Sequence, residues 1–174
     1  MPTIVMHRPH LRTIPDAPLL PEGYTLRAFG ASDDEAGLAA VLTAAFQEPW
    51  DEARVRATLT QASDVKAVYV VTSQGQIVAT ASSRWIPDRF PNTGVVHWVA
   101  THPDHEGRGL ASALLVRVLN DFIARGYPQA ALETQDFRLP AIRLYLRFGF
   151  MPVYTVNGED HRDIWCDILT VLGT

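Results

Sequence analysis

The stretch from Val95 to Thr134 restricts the fold more than any other part of the chain. Val95 to Thr101 (VVHWVAT) reads as a strand, and His102 to Ser112 is a polar loop carrying two glycines. From Leu110 to Arg125, Ala111, Leu114, Leu115, Val118 and Phe122 fall on one helical stripe, which Gly126 and Pro128 bring to an end. Ala130 to Thr134 (AALET) is again a strand. Two strands joined through a helix lie side by side and parallel, because a tight hairpin cannot connect them. The chain must therefore build a sheet with at least one helix on its face.

The remaining segments fit around that unit. Residues 1–21 hold Pro2, Pro9, Pro15, Pro18 and Pro21, a density that forbids a regular helix and reads as an extended N-terminal arm ahead of a single domain over 22–174. Tyr24 to Phe29 alternates as a strand. Asp33 or Asp34 can cap a helix carrying Leu38, Val41, Leu42, Ala45 and Phe46, and a second short helix runs from Asp51 to about Gln61. Ala67 to Thr72 and Ile77 to Trp85, joined by Ser73 to Gln76, form an antiparallel hairpin. Pro140 opens a helix that Gly149 stops, and Pro152 to Val156 with Asp163 to Leu169 reads as a closing hairpin across Asn157 and Gly158. The expected class is α+β: a mixed, mostly antiparallel sheet flanked by helices, with the 95–101 and 130–134 strands parallel.

Composition narrows the function. With 47% hydrophobic and 20% charged residues in 174, the chain has the make-up of one soluble globular unit. The apolar runs around Ala36 to Phe46 and Leu110 to Leu119 are too short to cross a bilayer, so no membrane partner is expected. No signal peptide is legible in Met1 to Arg12, and the lone Cys166 suits a reducing compartment, which makes the cytoplasm the expected location. A net charge of −4 argues against a nucleic-acid partner. Between Gly107 and Phe150, however, six arginines face three acids, so that segment is +3 and the remainder −7. A local basic field in an acidic chain suits a small anionic ligand.

The glycines around Arg108 stand where the 110–125 helix begins. Glycine permits a tight path, so several N–H groups and the positive helix end can converge on one anion. Taken alone, the loop is equally a flexible strand-to-helix turn. Neither a Walker loop nor the three-glycine dinucleotide fingerprint is present. In context, the strand, the HPDHEGRGLA loop, the helix, the next strand and AIRLYLRFGF (141–150) together resemble the Gcn5-related N-acetyltransferase (GNAT) family, most fully over Val95 to Val153. That family's diphosphate loop, Gln/Arg-x-x-Gly-x-Gly/Ala, falls on Glu106, Gly107, Arg108, Gly109, Leu110 and Ala111, with Ser112 following. Glu106 departs from the pattern, and Arg138 stands where many relatives have an asparagine; an arginine there can pair with a phosphate. The resemblance implies acetyl-CoA, or another acyl-CoA, as cofactor. Its pantetheine arm would enter where the parallel strands splay and bond to the backbone of Val99, Ala100 and Thr101.

An amine attacks only as the free base, which for a pKa of about 10.4 costs roughly 4 to 5 kcal/mol at neutral pH. His97 is the first candidate base, at a place where arylalkylamine members of the family carry a catalytic histidine; the alternative is a packed strand histidine beside Trp98. Glu133 is the second candidate, or else the partner of an arginine. Tyr145 falls on the family's general acid, the alternative being a core tyrosine. A strand N–H, that of Val99, would steady the oxyanion. The histidine pairs His102/His105 and His7/His10 lack further ligands, so no metal is expected, and Cys166 has no adjacent histidine to make it a nucleophile.

Phe46, Trp50 and Trp85, with Glu48, Asp51, Glu52 and Asp88 close in sequence, are the candidate acceptor surface, suited to a small-molecule or peptide amine. The expectation is an acyl-CoA-dependent N-acyltransferase, an acetyltransferase first of all, and a homodimer is compatible with it. The rivals are a non-catalytic acyl-CoA sensor and transfer to a hydroxyl or from a longer acyl donor.

Overall fold

A computed structural model describes residues 2–30, 33 and 35–174. The elements run β1 (Thr3–Arg8), β2 (Tyr24–Ala28), α1 (Glu35–Phe46), α2 (Glu52–Val55) continued by a π turn (Arg56–Thr60), β3 (Val65–Ser73), β4 (Gln76–Arg84), β5 (Thr93–Thr101), α3 (Leu110–Ala124), β6 (Gln129–Gln135), α4 (Leu139–Arg147), β7 (Met151–Pro152), β8 (Thr155–Val156), β9 (Glu159–Asp160) and α5 (Arg162–Leu172). Seven strands form one sheet in the order β2-β3-β4-β5-β6-β1-β7. Every pairing is antiparallel except β5 with β6, the pair that the intervening helix requires.

Side-chain alternation along β3 divides the core in two. Tyr69 and Val71 join a cluster with Leu114, Leu115, Val118 and Phe122 of α3, whereas Val68 and Val70 join a second cluster with Leu38, Leu42, Val55 and Leu59 of α1, α2 and the π turn. The sheet is thus covered on both faces. The second helix does begin at Asp51, which caps it, its carboxylate accepting from the Arg54 N–H at 2.7 Å. Asp33 instead accepts from the Gly30 N–H and from Arg27, and Asp34 lies outside the described residues.

Two segments differ from the sequence reading. Residues 3–8 of the expected arm are a strand inside the sheet, paired antiparallel with β6 and β7. Pro2 and Pro9 flank this strand rather than interrupt it, and the apolar Ile4, Val5 and Met6 between them are buried. Arg8 at its end is buried as well, donating to the carbonyls of Phe148 and Thr13, so β1 holds the C-terminus of α4. The second difference is Asp163 to Leu169, expected as a strand and found in α5. Trp165, Ile168 and Leu172 recur at three- and four-residue spacing and are buried together, which a strand could not achieve. Asn157 and Gly158 do turn a hairpin, but its second arm is only Glu159–Asp160.

Gly94 lies where β5 passes under α3, and a Cβ there would fall 2.4 Å from the ring of the fully buried Phe122. Gly94→Ala should therefore destabilise the fold by about 1–3 kcal/mol. A urea midpoint equal to the parent's would show that Phe122 has room to move.

Candidate active site

The site begins with one extra residue in β5. Ser82 of β4 pairs with His97 and Thr80 pairs with Ala100, so Ala81 alone faces both Trp98 and Val99. This is a β-bulge, and it carries Trp98 at φ +46°, a conformation that costs a non-glycine residue on the order of 1 kcal/mol. The Ser82 hydroxyl donates to the His97 carbonyl at 2.8 Å and pins the distortion. Just before the bulge the parallel ladder ends: β5 and β6 pair from Thr93–Gln129 to Val96–Leu132 and no further, although both strands continue. Between the separating ends opens a cleft of about 1070 Å³, at the upper end of the range for ligand pockets. Val99, Ala100 and Thr101 line it from β5, and Glu133, Thr134 and Gln135 from β6.

The start of α3 faces the same space. Gly107 and Gly109 sit at φ +72° and +76°, the left-handed region that side chains avoid, and Gly109 is the residue that caps the helix. The helical ladder opens with Ala113 donating to the Gly109 carbonyl at 3.0 Å. The N–H groups of Leu110, Ala111 and Ser112 therefore have no acceptor within the helix, and the helix dipole adds positive potential at the same point. Gly107, Gly109, Leu110, Ala111 and Ser112 all line the cleft. These groups fit a diphosphate. Arg108 between the glycines turns elsewhere, donating to the Asp104 carbonyl at 2.6 Å and lying 6.0 Å over the Tyr24 ring. Glu106 also lines the cleft but is exposed, so solvent screens its charge.

Tyr145, His97 and Glu133 line this one cleft. Burial pushes the Tyr145 phenol up to about 12 against the opposing charge of Arg138, so the hydroxyl keeps its proton at neutral pH. His97 is pulled down to about 4 by burial and then by Arg84, while a hydrogen bond to the Thr58 backbone and the charge of Asp64 act against that fall. It is neutral at pH 7. Glu133 accepts a hydrogen bond from Arg89 in an ion pair at the edge of the site.

The aromatic residues separate. Phe46 lines the cleft and stands edge-on to Trp98 at 5.0 Å, and Trp98 stands edge-on to Trp50 at 4.7 Å. Trp50 is buried behind this pair and does not line the cleft, nor does Trp85, which lies exposed under Lys66. Arg138 lines the cleft with its guanidinium carbon 4.5 Å over Phe46. Trp98 was not singled out from the sequence as a site residue. A strand tryptophan between His97 and Val99 carries no sign that its backbone is bulged.

Residues 36–150 match the model of the acetyltransferase (GNAT) family. The chain belongs to that family. A mycothiol acetyltransferase from Saccharomonospora viridis is 31% identical over 150 residues, covering 79% of this chain and 49% of that protein. Among solved structures, a GCN5-related N-acetyltransferase from Sphaerobacter thermophilus superposes with a TM-score of 0.69 at 27% identity, over 87% of this chain and 48% of that one. The ribosomal-protein-S18-alanine N-acetyltransferase of Escherichia coli, at 21% identity and a TM-score of 0.63 over 79% of this chain and 87% of its own, shares the GNAT fold. The chain spans about half the length of the curated relatives it matches first. Among the described residues no helix is long and apolar enough to cross a membrane.

The state of His97 can be read from stability. Between pH 6.5 and about 4 the unfolded chain binds a proton that the folded chain does not, so this residue's contribution is complete above pH 6.5 and is lost as pH falls. The full loss is on the order of 3 kcal/mol. His97→Gln should flatten that part of the decline in urea titrations between pH 7 and pH 4.5. An unchanged slope would mean that His97 titrates normally in the folded state.

Proposed function

We propose that this GNAT chain moves an acetyl group from acetyl-CoA to a primary amine of a small molecule or peptide by direct attack. The observation that carries the reading is convergence: free helix N–H groups, separated strand ends and a protonated tyrosine meet in one cleft.

Acetyl-CoA supplies an activated thioester carbonyl. In this reading the N–H groups from Gly107 to Ser112 hold its diphosphate, and the backbone of Val99, Ala100 and Thr101 takes the place of a missing ladder partner for the pantetheine amides. The Val99 N–H faces the oxygen that gains negative charge. Tyr145 donates to the departing sulfur. A phenol near 12 would protonate a thiolate of pKa about 8.5 uphill by roughly 5 kcal/mol, so Tyr145 serves as a strong hydrogen-bond donor while charge builds, with transfer completed late. His97 takes the amine proton. Being neutral, it has an accepting nitrogen at any pH above about 4, and being weakly basic it passes the proton on to water rather than storing it. Glu133 is the alternative base, weakened by the ion pair that one of its oxygens makes with Arg89.

The test is release of free thiol from acetyl-CoA with a panel of primary amines. Tyr145→Phe should lower kcat about 10²-fold while acetyl-CoA affinity, measured by calorimetry, changes less than threefold. Unchanged turnover would remove Tyr145 from the chemistry. Acetyl-CoA binding with no thiol released from any acceptor would favour a sensor.

A further inference from the structure

Apart from exposed Glu106 at the α3 loop, the acids that line the cleft or flank Phe46 in sequence already have partners. Glu48 accepts from Arg54 at 2.9 Å, Glu52 pairs with Arg56 at 3.5 Å, Asp51 caps α2, and Glu133 pairs with Arg89. Of the carboxylates that the sequence suggested for a cationic acceptor, Glu48 and Glu52 are therefore neutralised by arginine, Asp51 is held at a helix end, and Asp88 does not line the cleft.

Arg138 is in the opposite condition. Among the described residues no carboxylate lies within ion-pair distance of it. Its Nε donates to Gln135 Oε1 at 2.9 Å, and its guanidinium carbon lies 4.5 Å from the ring centre of Phe46 and 5.1 Å from that of Phe137. A hydrogen bond along one edge and two aromatic contacts orient a planar group. With Nε engaged, the terminal edge remains, and its two parallel N–H bonds match the two oxygens of a carboxylate. The position is also telling. Phe46 belongs to α1 and touches Trp98 at the bulge, and the charge of Arg138 is felt by the Tyr145 phenol. The cation sits beside the reacting end of the cleft.

Resting on the acetyl-transfer reading, we propose that Arg138 is a specificity residue for the acceptor. Its terminal edge binds a carboxylate carried by the same small molecule as the attacking amine, with Phe46 covering the acceptor's apolar part. Preferred acceptors are then amino-acid-like rather than simple amines or polyamines. The same guanidinium chemistry would suit a phosphate of the donor, so the experiment must tell the two apart.

Matched pairs of an amino acid and its carboxamide are compared as acceptors, with rates expressed per free amine, for the parent, Arg138→Gln and Arg138→Lys. Acetyl-CoA affinity is followed by calorimetry in parallel. The parent should favour the carboxylate member at least tenfold in kcat/KM, chiefly through KM. Arg138→Gln should bring the ratio near one, Arg138→Lys should restore part of it, and acetyl-CoA affinity should stay within threefold. A ratio that Arg138→Gln leaves intact overturns the proposal. So does a tenfold loss of acetyl-CoA affinity with selectivity unaltered, which would place the guanidinium on the donor's phosphate. Calorimetric binding of the two pair members reads the site even without turnover: a carboxylate preference abolished by Arg138→Gln supports it, and no preference overturns it. Failure to release thiol counts against the transfer reading alone.

Discussion

One unmatched residue in a ladder determines the functional geometry of this protein. Opposite Ala81, β5 spends two residues where β4 spends one, and the strand turns out of plane just past the point where its parallel pairing with β6 ends. Without that bulge the two strands would continue bonding to each other, and no backbone of β5 would be left for a ligand. The strained φ of Trp98 is held from two sides, by the Ser82 hydroxyl on the His97 carbonyl and by the packing of Trp98 between Phe46 and Trp50. The aromatic cluster beneath α1 is thus a support for the distortion as well as a wall of the cleft.

The electrostatics follow from where each group is buried. A tyrosine deep in the cleft retains its proton, and a mostly buried histidine near Arg84 loses its own, so the pair stands at pH 7 as one donor and one acceptor. Around them carboxylates and arginines are mostly matched, which leaves the positive end of α3 and the oriented Arg138 as fixed features that an anion meets. The helix that carries Tyr145 is itself anchored at its C-terminus by Arg8, a buried cation whose two terminal nitrogens donate to backbone carbonyls, one of them at the negative end of the helix dipole, while its Nε has no partner.

The parts of this arrangement that depend on local periodicity could be read from the sequence. The α3 stripe, the parallel strands it separates, the glycine loop at its start and the hairpin of β3 and β4 were all expected, and GNAT membership followed from the same residues. What escaped depends on long-range partners. β1 looks like a proline-rich arm because its pairing with β6 spans more than a hundred residues, and α5 looks like a strand because Ile164, Trp165 and Ile168 carry strand propensity and follow the turn residues Asn157 and Gly158. The bulge has no glycine or asparagine to announce it. Likewise Glu48 and Glu52 near Phe46 read as free until the arginines that neutralise them were seen beside them.

The central claim is that the N–H groups at the start of α3 hold the diphosphate of acetyl-CoA while the unpaired end of β5 takes its pantetheine arm. Titrating acetyl-CoA into isotope-labelled protein and following backbone amide resonances tests this most directly. Saturable shifts should concentrate at Gly107 to Ser112 and at Val99 to Thr101, with the far end of α3 near Arg125 unmoved. Saturable binding that leaves both segments unshifted, or no binding at all, would contradict the account.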